Sequence, residues 1–302
     1  MARKLTYRRR RGSGLGRFGA GLILLAGCGS QSGERVVVGS KNFTEQLVLG
    51  ELVAQQIEAR TELEVERRLN LGGTLICHRA ILAGQIDLYV EYTGTALTAI
   101  LHQPPSQDAA AVFDQVAKAY ERLGLVWMAP LGFNNTFAIV VRGADARRLE
   151  LETISDAAAH APAWRAGFGY EFMERADGFR GLAQSYGLEF RAPPRTMELG
   201  LLYRALKERQ VDLVAGNSTD GVIAELDLVV LEDDRGYFPV YEAAVVVRRD
   251  TLTRHPALEA ALEQLAGRLD EDRMRAMNRA VDSQQRGLQE VAQRFLESEV
   301  AR

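Results

Sequence analysis

The segment 89–95, Tyr-Val-Glu-Tyr-Thr-Gly-Thr, carries two tyrosines and two threonines. The apolar run 86–90, which overlaps the start of this segment, predicts a buried strand. A helical pattern resumes directly after residue 95. Such a junction presents free backbone N–H groups and a partly positive helix end to the loop side chains. A small zwitterion would fit there, with hydroxyls and amides toward its anionic end and aromatic faces toward its cationic end. The alternative is that the tyrosines are packing residues with satisfied hydroxyl groups.

The residues before this strand predict a capped helix. Gly72, Gly73 and Thr74 form a turn at its start, residues 75–82 carry apolar side chains on one face, and Ala83-Gly84 ends it. Cys77 lies within this helix, where we expect a small core residue and neither a reactive thiol nor a metal ligand.

Length and composition are those of an ordinary globular protein with room for two lobes. The chain has 302 residues, of which 47% are hydrophobic and 25% charged. No stretch after residue 30 is long and apolar enough to span a membrane. Seven of the 37 basic residues lie in the first 27 residues, which contain no acid, so the remaining 30 basic and 40 acidic residues give the body a charge of −10. This acidic body argues against nucleic acid as a partner.

The basic start has the form of an export signal. Arginines and one lysine precede the short apolar stretch 18–25, and the tetrapeptide Leu-Ala-Gly-Cys ending at Cys28 resembles the bacterial lipoprotein signal. That resemblance implies cleavage before Cys28, lipid attachment to its sulfur, and a body held at the periplasmic or outer face of a membrane. A chance match in a cytosolic protein and a twin-arginine export signal are the alternatives.

Strands and helices alternate in two sections of the chain, which predicts α/β lobes with a parallel sheet in the first. The segment 80–88 is echoed by 205–213, and each is followed by a threonine-containing loop, so each lobe repeats one unit of helix, strand and polar loop. Strand-end loops of two such lobes would face each other across a ligand cleft. The strands are predicted at 35–39, 63–69, 86–90, 126–131, 136–142, 167–169, 211–215, 228–231 and 240–248, the last returning to the first lobe. The helices are predicted at 46–59 (amphipathic), 75–82, 109–123, 154–159 and 197–208, with two later helices packing on the first lobe.

No enzyme signature is present. The sequence lacks a Gly-x-Ser-x-Gly elbow, a phosphate loop and a His-Glu-x-x-His motif, and its four histidines are not at metal-ligand spacing. We therefore expect a binding protein without catalytic activity, cofactor or metal.

Six segments resemble the substrate-binding proteins of ABC importers for glycine betaine, choline and related osmoprotectants. They are GSKNFTEQ, NLGGT, GQIDLYVEYTGTA, YEFMERADGF, STDG and LVVLEDDRGYFPVYEA, and the likeness runs from about residue 36 to 296. It implies an α/β fold, the two-lobed periplasmic-binding-protein fold of type II, with two crossover strands and the ligand in the inter-lobe cleft. The expected divisions are a signal peptide at 1–27, lipidated Cys28 and a tether at 28–34, a first lobe at 35–142 plus 240–302, and a second lobe at 143–239.

The resemblance also implies a set of binding residues. The family's trimethylammonium cage maps onto Tyr92, Phe137 and Tyr241, and its fourth aromatic position holds Asn217. The carboxylate of a betaine is held in the family by residues that map onto Lys41, Thr95 and Arg175. Asn135, in the turn before Phe137, is a further candidate.

The departures at Asn217 and Phe137 point to a ligand larger or more polar than glycine betaine, such as carnitine, choline or ergothioneine. Four other aromatics could fill the missing cage position, but we expect them mainly to pack: Tyr89, Tyr170, Phe172 and Tyr237. The partners implied are a quaternary amine, a permease with its cytoplasmic ATPase, and a membrane lipid anchor on a monomeric receptor. A sensor that reports occupancy to a membrane receptor is the alternative.

Overall fold

The computed structural model describes residues 34–299, which form two five-stranded sheets with helices packed on them. The predicted signal peptide, Cys28 and most of the tether lie outside these residues. No helix within 34–299 has the length and apolar character needed to cross a bilayer.

The strands are β1 (Arg35–Lys41), β2 (Glu64–Gly72), β3 (Leu88–Tyr92), β4 (Leu125–Trp127), β5 (Phe137–Arg142), β6 (Ala166–Phe168), β7 (Arg195–Thr196), β8 (Leu213–Asn217), β9 (Leu228–Leu231) and β10 (Ala243–Arg248). The helices are α1 (Thr44–Arg60), α2 (Thr74–Leu82), α3 (Thr93–Thr95), α4 (Ala109–Glu121), α5 (Gly143–Leu149), α6 (Ile154–Ala158), α7 (Tyr170–Glu174), α8 (Phe179–Tyr186), α9 (Leu199–Lys207), α10 (Val222–Glu225), α11 (Arg249–Arg254), α12 (Ala257–Glu263), α13 (Glu271–Asp282) and α14 (Leu288–Glu299), with a π-helical turn at Ala96–Ile100 and a 3₁₀ turn at Ala161–Ala163.

Each sheet defines one lobe and contains one antiparallel strand. The first sheet has the order β2-β1-β3-β10-β4, and the second has the order β7-β6-β8-β5-β9. β10 runs antiparallel to β3 and β4, and β5 runs antiparallel to β8 and β9. β1 is parallel to β2 and to β3, as the sequence predicts, and β10 returns from the far part of the chain to complete the sheet as its antiparallel strand.

The sheets divide one strand earlier in the chain than the lobe boundary expected at residue 142. β5 pairs with β8 and β9 of the second sheet, so the chain leaves the first sheet after β4 and enters the second lobe at Phe137. The apolar sequence of β5 does not indicate which sheet it joins, because its pairing partners lie 72 to 92 residues further along the chain. The predicted return of the chain to the first sheet at its last strand is confirmed by the pairing of β10.

The internal echo corresponds to equivalent positions in the two sheets. α2 leads into β3, which lies parallel to β1, and α9 leads into β8, which lies parallel to β6. The aspartate in each copy fastens its strand to the neighbouring one. Asp87 Oδ2 accepts a 2.8 Å hydrogen bond from the Val37 N–H, and Asp212 Oδ2 accepts a 3.0 Å bond from the Arg165 N–H.

Helix α1 is buried over most of its surface, where the sequence predicted an amphipathic helix. It lies between the first sheet and helices α12, α13 and α14. Its buried polar side chains have partners that the sequence pattern does not show: Gln56 donates to the Ala261 carbonyl at 2.9 Å, and Glu51 pairs with Arg67 at 2.8 Å. The predicted packing of the last helices on the first lobe is confirmed by these contacts.

Candidate functional site

A cavity of about 180 Å³ lies among the strand-end loops of both lobes. First-lobe residues reach it from the end of β1 and from the junction of β3 with α3, and second-lobe residues reach it from α7 and from the end of β8. The eight residues that the sequence singled out for ligand binding all line it: Lys41, Tyr92, Thr95, Asn135, Phe137, Arg175, Asn217 and Tyr241. Their convergence gives one chamber that combines aromatic faces with cationic and amide groups.

Lys41 lines the chamber and is both buried and ion-paired. Its Nζ lies 2.5 Å from Glu91 Oε1 and 4.9 Å from the centre of the Tyr92 ring. Glu91 is fully buried and also accepts hydrogen bonds from the Tyr92 N–H at 2.7 Å and the Tyr89 hydroxyl at 3.2 Å. The charge of Lys41 is therefore neutralised within the protein, so this lysine offers directed N–H donors to a ligand more than an excess of positive charge.

Arg175 follows α7 and contacts both lobes. Two of its nitrogens pair with Asp177, at 2.9 Å from Oδ1 and 2.6 Å from Oδ2, and its Nη1 donates to Thr95 Oγ1 at 3.1 Å. Its guanidinium carbon lies 5.0 Å from the centre of the Phe137 ring and 5.9 Å from that of Tyr241. Burial disfavours the guanidinium charge, but the hydrogen bonds to Asp177 outweigh it and raise the pKa of Arg175 above its ordinary value. Arg175 is thus a permanent cation within cation–π distance of the Phe137 and Tyr241 rings.

Asp177 holds Arg175 and joins it to the first lobe. Its Oδ2 also accepts hydrogen bonds from the Thr98 hydroxyl at 2.8 Å and the Tyr241 hydroxyl at 2.6 Å. Burial by itself raises the pKa of Asp177, but the hydrogen bond and charge of Arg175 hold it below the ordinary value. Asp177 was not among the residues predicted from the sequence, although its place two residues after Arg175 in the Arg-Ala-Asp-Gly segment could have indicated an ion pair.

Glu45, in the first turn of α1, positions two of the candidate ligand residues. Its Oε1 accepts hydrogen bonds from the Tyr92 hydroxyl at 2.6 Å and the Asn135 amide at 2.7 Å. Its Oε2 accepts bonds from the Thr219 hydroxyl at 2.5 Å and the Asn278 amide at 3.3 Å. Burial raises the pKa of Glu45, although these hydrogen bonds act in the opposite direction. Because Thr219 belongs to the second lobe, this carboxylate joins the two lobes beneath the chamber.

The family profile for the substrate-binding domain of ABC-type glycine betaine transport systems matches residues 34–298. The chain belongs to this family. It is 38% identical over 282 residues to a glycine-betaine-binding protein of Pseudomonas aeruginosa, with 90% of each chain covered. It is 35% identical over 264 residues to the ergothioneine transport permease/ergothioneine binding protein EgtU of Helicobacter pylori, covering 87% of this chain and 47% of that one. The chain thus spans about half the length of this second relative.

A solved structure of a glycine betaine/carnitine/choline ABC transporter protein resembles the chain with a TM-score of 0.72 and 31% sequence identity. The match covers 87% of this chain and 98% of the other. Together with the two sheets and their crossovers, it confirms the two-lobed α/β fold of type II expected from the sequence.

Asn217 stands at the end of β8, where the family resemblance places an aromatic. Its backbone N–H donates to Asp220 Oδ2 at 2.9 Å, while its side-chain nitrogen is 3.5 Å from both Asp220 oxygens. Asp220 in turn accepts a 2.5 Å hydrogen bond from the Tyr203 hydroxyl. The Asn217 amide is therefore only weakly held within the protein, and it contributes a polar wall to the chamber.

Aromatic rings other than the three cage positions also line the chamber. Phe43, which the sequence analysis did not name, stacks on Tyr92 with ring centroids 6.4 Å apart, and Phe172 packs edge-on against Phe137 at 4.8 Å. Tyr170 lines the chamber with 56% of its surface exposed. The other two spare aromatics are absent from the lining: the Tyr89 hydroxyl bonds to Glu91, and the Tyr237 hydroxyl bonds to the carbonyls of residues 176 and 178.

Cys77 is fully buried and free, and burial raises the pKa of its thiol to about 12. This agrees with the small core residue that the sequence predicted.

The raised pKa of Glu45 predicts a pH-dependent stability. Ionising this carboxyl costs more free energy in the folded than in the unfolded chain. The stability that its protonated form contributes is therefore complete below pH 4.5 and is lost as the pH rises through the raised pKa. We expect the free energy of unfolding of the wild type, relative to Glu45→Gln, to fall as the pH is raised above 4.5 through the raised pKa, measured by urea unfolding. The exposed Glu62→Gln should show no such slope, and a flat Glu45→Gln difference would contradict the prediction.

Proposed function

We propose that this chain is the extracytoplasmic receptor of an ABC importer, capturing a quaternary ammonium compound between its lobes and delivering it to a membrane permease powered by a cytoplasmic ATPase. The observation that carries the proposal is the convergence of Tyr92, Phe137 and Tyr241 with Arg175 and Lys41 on one chamber. Membership of the substrate-binding family supports the transport role.

The chemistry of the chamber suits such a ligand. A trimethylammonium group has no N–H to donate, so aromatic faces provide its main attraction, on the order of 0.5 to 2 kcal/mol each when water is excluded. A ligand carboxylate would receive hydrogen bonds from the donors of Lys41, Thr95 and Arg175. Several such contacts together are of the size needed for micromolar binding, about 8 kcal/mol.

Aromatic and hydroxyl roles at Tyr92 can be separated by two substitutions. We expect Tyr92→Ala to weaken the binding of glycine betaine, choline or carnitine by at least about tenfold, because it removes a ring from the cage. Tyr92→Phe keeps the ring and loses the two hydrogen bonds of the hydroxyl, which donates to Glu45 and accepts from Gln46 Nε2 at 2.9 Å. Its affinity should stay within about threefold of the wild type while its stability falls by roughly 1 to 3 kcal/mol.

Isothermal titration calorimetry of residues 31–302 with these ligands, ergothioneine and a neutral amino acid is the test. Equal losses in the two variants would mean that the hydroxyl network, and not the ring, carries the affinity. Binding of the amino acid with no response to any quaternary amine would overturn the proposed ligand class.

A betaine that carries a hydrogen-bonding ring, such as ergothioneine, is a second candidate within this class. Asn135 is buried at the chamber wall, and its side-chain oxygen has no hydrogen-bond partner among the described residues. The Asn217 amide is weakly held close by. Two amides could pair with ring nitrogens or with a polar ring substituent, which a simple trimethylammonium compound lacks. The relation to the ergothioneine-binding protein supports this candidate.

Asn217→Tyr tests the second candidate. Restoring an aromatic at this position should raise the affinity for glycine betaine severalfold and lower that for ergothioneine, because a cage wall replaces an amide. Asn217→Ala, which removes the amide without adding a ring, should weaken ergothioneine binding without improving that of glycine betaine. Calorimetry of both variants measures the two affinities. An unchanged glycine betaine affinity in Asn217→Tyr would count against the second candidate.

We further propose that the mature chain is anchored to a membrane by lipid on Cys28 and acts as a monomer. The tetrapeptide ending at Cys28 supports the anchor, and the short polar stretch 29–34 would serve as the tether.

Lipid labelling tests this anchor. In bacteria that express the full-length chain and grow with an alkyne-tagged palmitate analogue, the wild type should be labelled and recovered with membranes. Cys28→Ser should lose both properties, whereas Cys77→Ser should keep the label because Cys77 is buried in α2. Labelling that persists in Cys28→Ser would refute the anchor.

A further inference from the structure

The ligand chamber adjoins an outer groove of about 990 Å³ that also lies between the two lobes. The groove is lined by first-lobe residues from α2 and the π-helical turn and by second-lobe residues from α7 and α8. Four residues line both spaces: Gly73, Thr74, Glu171 and Arg175. These four therefore form the partition between the chamber and the groove.

Within this partition, Glu171 of the second lobe caps a helix of the first. The backbone N–H of Thr74, the first residue of α2, lacks an intrahelical acceptor, and the residue before it is a glycine with no side chain to supply one. Glu171 Oε1 accepts the hydrogen bond of this N–H at 2.5 Å, and its Oε2 accepts that of the Thr74 hydroxyl at 3.2 Å. The contact joins a carboxylate to two donors at the positive end of a nine-residue helix.

Gly73 allows this approach. Its backbone has a φ of −76° and a ψ of −174°, an extended conformation that any residue can adopt, so the turn itself does not require glycine. A Cβ at this position would overlap Glu171 Oε1. The absence of a side chain at Gly73 is thus needed for the contact between the lobes.

We propose that Glu171 is the gate of the chamber: by capping α2 from the opposite lobe, it seals the partition and sets how slowly a bound ligand is released. Separating the lobes exposes the Thr74 N–H and the Glu171 carboxylate to water, so the contact stabilises the closed arrangement only. Loss of this contact mainly raises the dissociation rate of the ligand, since the ligand enters while the partition is open. The proposal rests on the proposed receptor function for its ligand, and on the inter-lobe contact for its mechanism.

Release of glycine betaine from the whole chain tests the gate. Dissociation is followed by stopped-flow intrinsic fluorescence, and equilibrium affinity by calorimetry. Glu171→Ala should release the ligand about tenfold faster, with a matching loss of affinity and little change in the association rate, because one charged cap is worth about that factor. Glu171→Gln, which retains an acceptor without the charge, should lie between the alanine variant and the wild type.

Two further variants exclude a merely structural effect. Glu174→Ala removes an exposed carboxylate from the same helix that has no partner among the described residues, and it should behave as the wild type. Gly73→Ala should release ligand as fast as Glu171→Ala, and the double variant should be no worse than either single one, because both changes break the same contact. A wild-type release rate in Glu171→Ala, or additive effects in the double variant, would overturn the gate.

Amide hydrogen exchange at Thr74 separates this proposal from the proposed function. If the wild type bound neither glycine betaine nor choline, carnitine or ergothioneine, the receptor assignment would fail by itself. The exchange rate of the Thr74 amide in the ligand-free protein would then test whether Glu171 closes the partition. Slower exchange in the wild type than in Glu171→Ala supports the contact between the lobes, and equal exchange overturns it.

Discussion

A carboxylate buried away from water must have its oxygens hydrogen bonded, and the arrangement of the site follows from that requirement at Glu45. Its donors come from separate parts of the chain: Tyr92 at the end of β3, Asn135 in the crossover, Thr219 in the second lobe and Asn278 on α13. Each oxygen accepts from two of these groups, so the movement of any one of them removes a hydrogen bond from the buried carboxylate. The ring of Tyr92 and the amide of Asn135 thus take their orientation from a residue that the ligand has no need to touch.

The two cations at the chamber follow the same rule. Lys41 is paired with Glu91, and Arg175 is paired with Asp177, so each positive charge has a buried carboxylate as its partner. Such pairs add little net stability, since desolvation offsets much of their attraction, but they fix the direction of the N–H groups. Recognition in a chamber of this kind depends on where donors and ring faces point, and much less on the total charge of the ligand.

The family resemblance, which local motifs carry, allowed much of the candidate site to be predicted from the sequence. The strand-to-helix junction at 89–95 and the turns before Phe137 and around Asn217 are encoded by neighbouring residues, and they converge on the chamber as expected. What the sequence did not reveal depends on distant partners. Glu45 has the pattern of an ordinary helix start, and its role becomes visible only when Thr219 and Asn278 are brought next to it.

The same physical reason explains the misassigned elements. β5 is an apolar strand whose direction and sheet are set by pairing across long stretches of chain. α13 was not predicted because half of its twelve residues are charged and its average hydrophobicity is low, although Met274 and Met277 lie on one buried face. The length of α1 was predicted closely, but its burial was not, because the helices that cover it come from the last third of the chain.

The late return of β10 to the first sheet imposes an order on the formation of the two lobes. All strands of the second sheet lie within residues 137–231, so this lobe is continuous and can be completed once that stretch is available. The first sheet holds β10 between β3 and β4, and its centre stays unfilled until Ala243–Arg248 arrives. Domains generally fold as units as the chain emerges. The lobe that begins the chain is therefore the last to be finished, and until then its exposed strand edges are the part of the newly made protein that most needs protection from aggregation.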